Sequence, residues 1–360
     1  MWDFFDPAIS LPKQKNMIFS TTGLRRVATV SLAVVTVSIS TMGAAMAQTL
    51  SGAGATFPKP LYDRYFDAFK KETGIQVNYE AIGSGGGIKQ FTAGTVDFGG
   101  SDAAMTDAQI KAVGKGVILV PTAGGAVTVT YNVPGLPNTI KLSRQALPAI
   151  FSGEITRWND AKITKDNPGV NFPNQPIRVV VRADSSGTSF IFSNHLSNVS
   201  SKFRNSVGFG TTPKWPKGVL SGKGNSGVAA TVKQTANSIG YVESAFASQN
   251  KLPEIQVQNR AGRFVAPSLS EANRALSGVT FPANFRVFEG DPADGYPIVG
   301  LTWLMVYKQY SPAKAAAVKK LVQWILTKGQ ALNGSLEYTT IPKSVAQRAI
   351  KAVNDGITAK

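Results

Sequence analysis

Arg182-Ala183-Asp184-Ser185-Ser186-Gly187-Thr188-Ser189 lies between two stretches of opposite habit. Ile177 to Val181 is a β-branched run that reads as a strand, and Phe190 to Leu196 is an apolar segment that reads as a helix. A strand passing into a helix through a hydroxyl-rich turn is a unit of an α/β fold. The turn also carries chemistry. A helix start exposes unpaired N–H groups at the positive end of its dipole, and here hydroxyls and a planar guanidinium add donors. Such a set can cradle a small oxyanion.

The same alternation of strand and helix extends in both directions. Upstream, Leu61, Tyr62, Tyr65, Phe66 and Phe69 form a helical stripe that opens at Pro58/Pro60 and stops at Gly74. A strand over Ile75 to Tyr79 follows, then a glycine-rich turn, Gly83-Ser84-Gly85-Gly86-Gly87. Thr106-Asp107-Ala108-Gln109 reads as a capping box opening a further helix. Ala126 to Tyr131 reads as a strand. Downstream, Ser311-Pro312 begins a helix with Val318, Leu321, Val322, Ile325 and Leu326 on one face, closing at Gly329. A last helix is expected from about Ser344 to Val353. There is no internal repeat and no flexible interdomain linker, so any two lobes are joined by short strands crossing between them.

Residues 1–47 read as an export signal. Arg25 and Arg26 precede an uncharged run, Val27 to Met46, which ends in Ala45-Met46-Ala47. Met17 is an alternative start, because residues 1–16 do not resemble a basic leader. The remaining chain, about 310 residues, suits about two domains. With 43% hydrophobic residues it can bury a substantial core. The chain has no cysteine, so it has neither disulfides nor a lipid-modified N-terminus. The expectation is a free periplasmic protein of a two-membrane bacterium. Its 38 Lys and Arg against 21 Asp and Glu favour anionic partners. No basic cluster interleaved with aromatics accompanies that charge, so nucleic acid is not expected as a partner.

Catalysis finds little support. His195 is the single histidine and lies about two helical turns past Thr188, where it is expected to be an ordinary surface or half-buried residue. One imidazole, no cysteine and no tight carboxylate cluster give no metal site. Gly218 to Gly224 is too short for a P-loop and lacks its Ser or Thr, and Ile88 breaks the dinucleotide fingerprint after Gly83. No catalytic residue, metal or cofactor is therefore expected. Taken singly, Thr56 and Ser84 are either helix caps or ligand contacts. Arg182 is either a ligand group or a surface partner of Asp184, and Asp102 a ligand group or a turn former.

The segments gain meaning together. Gly52-Ala53-Gly54-Ala55-Thr56-Phe57-Pro58, Gly83-Ser84-Gly85-Gly86, Val96-Asp97-Phe98-Gly99-Gly100-Ser101-Asp102 and the Arg182 to Phe190 stretch occur in one order. Lys214-Trp215-Pro216, Gly222-Lys223-Gly224-Asn225, Gly227-Val228-Ala229-Ala230 and Ile239-Gly240-Tyr241-Val242-Glu243 follow. That order resembles the phosphate-binding proteins of bacterial phosphate ABC transporters, over nearly all of residues 50–360. The resemblance implies an α/β, two-lobed periplasmic binding protein of type II, with crossovers near Val129–Asn132 and Pro297–Leu301. Lobe 1 would hold residues 48–129 and 301–360, and lobe 2 residues 130–300.

It further implies a monomer that is no enzyme and delivers inorganic phosphate to permease subunits and, through them, to the ATPase. Thr56 and Phe57 would offer backbone N–H groups, with the Thr56 hydroxyl added. Ser84 would give its hydroxyl and N–H, and Ser186, Gly187 and Thr188 would donate from their helix start. Arg182 would bind phosphate oxygens, oriented by Asp184, and Asp102 would accept the proton that phosphate retains. Ser185 and Gly85 depart from the pattern. Sulfate is fully ionised at neutral pH, so a carboxylate facing the ligand would disfavour it by on the order of 10³-fold or more. Another tetrahedral oxyanion, or an exported phosphatase holding phosphate as product, are the alternatives.

Overall fold

The aromatic stripe of residues 61–69 is buried along one face of a helix that ends where Gly74 adopts the left-handed conformation and donates its N–H to the Lys70 carbonyl. The computed structural model describes residues 49–360, and the export-signal reading of residues 1–47 lies outside them. The first run is β1 (Thr49–Gly54), α1 (Lys59–Thr73), β2 (Gln76–Ala81), α2 (Ser84–Ala93), β3 (Phe98–Ser101), α3 (Asp107–Lys111) and the long β4 (Val117–Asn132). Next come β5 (Thr139–Leu142), α4 (Ala146–Phe151), α5 (Ala161–Asp166), β6 (Arg178–Arg182), α6 (Gly187–Val199) and α7 (Ser201–Ser206). Then follow β7 (Leu220–Gly222), α8 (Gly224–Gln234), β8 (Ser238–Glu243), α9 (Ser244–Asn250), β9 (Glu254–Gln258), β10 (Phe264–Val265) and α10 (Leu269–Leu276). The chain returns through β11 (Val299–Tyr307) and β12 (Gln309–Tyr310) to α11 (Pro312–Leu326) and α12 (Lys343–Gly356).

The main path of strands runs β2-β1-β3-β11-β4-β8-β6-β7. Strand β4 belongs to both halves of it: antiparallel to β11 from Val117 to Ala126, antiparallel to β8 from Val127 to Asn132. The change of partner at Ala126/Val127 falls slightly ahead of the expected crossover at Val129–Asn132. Strand β11 begins at Val299, within Pro297–Leu301. These strands join two α/β lobes, the architecture of a periplasmic binding protein. Strand β4 is buried from Val117 to Tyr131 because other elements cover both its faces, so it reads as a largely apolar run, broken by Thr122, Thr128 and Thr130, rather than an alternating one. Its Pro121 cannot donate to the ladder and sits where the register with β11 shifts between Thr302 and Trp303.

Three local readings change. The helix expected over Phe190–Leu196 begins at Gly187 and runs to Val199, with Ser186 as its N-cap, so the donor-rich residues form its first turn. The glycines after Ser84 are the first turn of α2 rather than a free turn. Their low helix propensity is overridden by packing, since a Cβ on Gly85 would lie 2.1 Å from the Ser185 hydroxyl. His195 is neither surface nor half-buried. It is 2% exposed, its Nδ1 lies 2.9 Å from the Gly290 carbonyl, and burial lowers its pKa to about 4. The capping box at Thr106 and Gln109 forms as read. Helix α11 stops at Leu326, and α12 extends a residue or more beyond the expected span at each end.

Candidate functional site

Four helix starts converge at the junction of the lobes. Thr56 and Phe57 precede α1, Ser84 opens α2, Ser186 caps α6 with Gly187 and Thr188 in its first turn, and Asn225 lies in the first turn of α8. Hydrogen bonds tie them together. The Asn225 amide donates to Thr56 Oγ1 at 2.8 Å and to Thr188 Oγ1 at 3.1 Å, and the Asn225 N–H donates to Thr56 Oγ1 at 3.2 Å. The Gly187 N–H donates to Ser84 Oγ at 3.1 Å. All eight residues expected at the site are buried, from Phe57, Ser84, Ser186 and Thr188 at 0% exposure to Thr56 at 7%. The approach is close enough that a Cβ on Gly187 would fall 2.5 Å from Ser84 Oγ and 2.6 Å from Asp102 Cβ.

Arg182 is a buried group, not a surface one. Its Nε and Nη2 donate to the two oxygens of Asp184 at 2.9 and 2.6 Å, and its Nη1 donates to Thr188 Oγ1 at 3.1 Å. This fork fixes the guanidinium plane. Asp184 also accepts the N–H of Gly224, at the start of α8, at 2.9 Å. Burial works to raise the Asp184 pKa, but the bonds and charge of Arg182 and the Gly224 N–H prevail and hold it below the usual carboxylate range.

Asp102, just past β3, has the opposite environment. Its backbone N–H donates to Ser84 Oγ at 3.2 Å, and that hydroxyl stands 3.5 Å from Oδ2. Burial pushes its pKa up to about 7, against the lowering influence of Thr302, Arg182 and Ser84. Thr302 stands near, yet no hydrogen bond of ordinary geometry joins the pair: Asp102 Oδ1 and Thr302 Oγ1 are both buried without a partner. A buried carboxylate oxygen left unpaired is costly, so it marks a place where a hydrogen-bond donor belongs.

Two expected donors are partly engaged elsewhere. The Ser186 N–H donates to the Thr211 carbonyl at 2.8 Å while its hydroxyl oxygen caps the Ser189 N–H, which leaves the hydroxyl proton for another acceptor. The Ser84 hydroxyl oxygen accepts from Asp102 and Gly187, so it bridges the lobes. Sequence reading assigned no role to Asn225, although the Gly222-Lys223-Gly224-Asn225 motif contained it. Its carbonyl oxygen accepts the Glu243 N–H at 3.0 Å, anchoring α8 to β8. Reading also missed Tyr241, stacked on Phe192 at 4.2 Å, whose hydroxyl lies 2.6 Å from Ser189 Oγ. The two departures from the resembled pattern prove to be neighbours: the Gly85 N–H donates to the Ser185 carbonyl at 3.0 Å, and the Ser185 hydroxyl occupies the space that a side chain at 85 would need.

A profile described as a PBP superfamily domain matches residues 40–328. The phosphate-binding protein PstS of Pasteurella multocida is 39% identical over 310 residues, covering 84% of this chain and 89% of the relative. The PstS of Haemophilus influenzae is 39% identical over 315 residues, covering 86% and 93%. Among solved structures, a high affinity periplasmic phosphate-binding protein bound with phosphate superposes with a TM-score of 0.69 at 21% identity, over 87% of this chain and all of that one. A phosphate binding protein from Stenotrophomonas maltophilia also gives 0.69 at 21% identity, over 86% and 96%. At these identities the likeness to the solved structures is one of fold.

Proposed function

The chain belongs to the PBP superfamily and, within it, to the family of the phosphate-binding proteins, and from that premise we propose that it binds inorganic phosphate between its lobes as the solute-binding component of a phosphate ABC importer. One observation supports this most directly. A buried ring of helix starts, hydroxyls and one guanidinium surrounds a carboxylate whose Oδ1 has no partner. Every group but one favours an anion, and the exception suits an anion that still carries a proton.

In this reading the N–H groups of Thr56, Phe57 and Thr188 and the hydroxyls of Thr56, Ser186 and Thr188 donate to phosphate oxygens, while the Gly187 N–H holds Ser84. Ser84 gives its N–H and holds Asp102. Arg182, set by Asp184, supplies charge-assisted bonds. Asp102 Oδ1 accepts the phosphate O–H and meets only repulsion from sulfate. Asn225 orients the hydroxyls of Thr56 and Thr188. Lobe 1 comprises residues 48–129 and 301–360, and lobe 2 residues 130–300, a division supported by the change of β4 pairing. Closure about β4 and the start of β11 completes the donor set. The protein is periplasmic, exported through a cleavable signal, works as a monomer and passes phosphate to permease subunits and their ATPase. It is a binder rather than a phosphatase: its relatives carry binding names, and His195 is turned to the Gly290 carbonyl.

Calorimetric titration of the protein, stripped of ligand by unfolding and refolding, tests the reading. Tight one-to-one binding of phosphate with no heat from sulfate is expected. Binding of both anions would remove Asp102 from the ligand, and no phosphate heat would overturn the assignment in favour of an assay for phosphate-ester turnover.

A further inference from the structure

Directly behind Phe57, the hydroxyl of Tyr338 lies 2.7 Å from the Phe57 carbonyl and 2.8 Å from Glu243 Oε2. All three residues are fully buried. A phenol has one proton and a carbonyl oxygen has none to give. If Tyr338 donates to Phe57, the proton in the second short contact must come from Glu243; if Tyr338 donates to Glu243, the Phe57 carbonyl loses its donor. Both contacts are satisfied at once only when Glu243 carries a proton. The rest of its carboxyl group is consistent with the acid form, since Oε1 accepts from the Ser244 hydroxyl at 3.2 Å and Oε2 from the Ala245 N–H at 3.2 Å, with no cation among these partners.

We propose that Glu243 is a carboxylic acid at neutral pH, that it donates its proton to Tyr338, and that this relay positions the Thr56-Phe57 segment so that anion affinity depends on Glu243 keeping the proton. The inference rests on the phosphate-binding reading for its second half only. Glu243 is the last residue of β8, on the lobe 2 side, whereas Phe57 and Tyr338 belong to lobe 1, so the relay crosses the cleft. Tyr338 also packs edge-on against the Phe57 ring at 6.0 Å. Losing the proton would place an uncompensated charge in that contact and withdraw the donor from Phe57.

The groups bearing on Glu243 point the same way. Burial pushes its pKa up to about 8, against the bonds from Tyr338, Ala245 and Ser244, and the Glu337 charge raises it further. Burial first, then the charge and hydrogen bond of Glu243, and after them Asp102 and Tyr62, hold the Tyr338 pKa well above the ordinary phenol value, so it does not supply the missing proton by ionising. Glu243 therefore acts as a positioning residue: it touches no ligand, and it fixes a peptide that does.

Infrared difference spectra and phosphate titrations across pH 7–9 test both halves. A carbonyl-stretch component of a protonated carboxylic acid is expected in the wild type that is lost in Glu243→Gln and kept in Asp102→Asn. Wild-type phosphate affinity should fall toward a limiting tenfold per pH unit above about pH 8, relative to Glu243→Gln, whose amide is a permanent donor. Because the comparison is between two proteins in the same buffers, the titrations of phosphate and Asp102 cancel. Tyr338→Phe should weaken phosphate about tenfold at pH 7 and flatten the profile, because it removes the donor to Phe57. An unchanged infrared band in Glu243→Gln, or parallel pH profiles for it and the wild type, would overturn the proposal. No phosphate binding by the wild type at any pH would sink the binding reading and the affinity half with it, while the infrared band would still decide where the proton is.

Discussion

Asp102 and Asp184 are carboxylates of one site, one past β3 and the other in the turn between β6 and α6, and their surroundings drive them to opposite behaviour. Asp184 is bonded through both oxygens to Arg182 and takes the Gly224 N–H as well, so its charge is stabilised and its pKa lies below the ordinary range. Asp102 is more deeply buried, at 1% exposure, faces a hydroxyl at 3.5 Å and leaves one oxygen unpaired, so burial dominates and raises its pKa to about 7. The first arrangement serves geometry, because a fully paired carboxylate holds a guanidinium plane. In the proposed function the second serves chemistry, because an unpaired one can distinguish a protonated anion from an unprotonated one.

The largest break in this comparison is Arg182→Met. It removes the cation and leaves the half-buried Asp184 charge without its main partner, and phosphate affinity should fall on the order of 10³-fold. A loss below tenfold in calorimetry would mean that the guanidinium does not face the anion.

Asp102→Asn sharpens the other half. It keeps an acceptor but removes the negative charge, so the ratio of sulfate to phosphate affinity should rise on the order of 10²-fold at pH 8. Acidification should do part of the same to the wild type. With a folded pKa near 7, Asp102 takes up its proton as pH falls through that value and becomes a donor to sulfate. Sulfate affinity should therefore climb by up to about tenfold per pH unit from pH 7 toward pH 5, and stay flat in Asp102→Asn. Stability is linked with the same sign. The folded state holds this proton at pH values where the unfolded chain has released it, so Asp102 contributes a loss of stability as pH rises from about 4 to about 7. In thermal melts the ligand-free Asp102→Asn protein should gain on the wild type across that window, and equal curves at pH 4 and pH 8 would show that Asp102 is not the buried acid described.

The smallest effect concerns the turn that carries Asp184. Gly85→Ala should lower the melting temperature by several degrees, since the new Cβ meets Ser185. Adding Ser185→Gly should restore most of the loss, because it removes the side chain that collides. Additive losses in the double variant would mean that the two positions are not a matched pair.

Much of the frame was legible because it depends on neighbours in sequence. The stripe from Leu61 to Phe69 between Pro58 and Gly74 specifies α1, and Thr106 with Gln109 specifies the cap of α3. The ligand-facing candidates were legible as motifs at helix starts. Their partners were not. Asn225 joins Thr56 to Thr188 across separations of 169 and 37 residues, and the Tyr338 hydroxyl reaches Phe57 across 281. No periodicity or local composition encodes such contacts.

By itself, then, the sequence determined which segments become strand and helix, that several helices begin in donor-rich turns, and that a resemblance to phosphate-binding proteins links those turns. Hydrogen bonds within a turn and burial of a helical face are local consequences of residue order, which is why they could be read. Tertiary structure alone decided that Arg182 is buried and forked to Asp184, that Asp102 keeps an unpaired oxygen, that His195 is sealed against Gly290, and that Glu243 meets Tyr338 behind Phe57. Each is a matter of charge and protonation, set by how far water is excluded and which distant groups fill the space, and neither is written in the neighbouring residues.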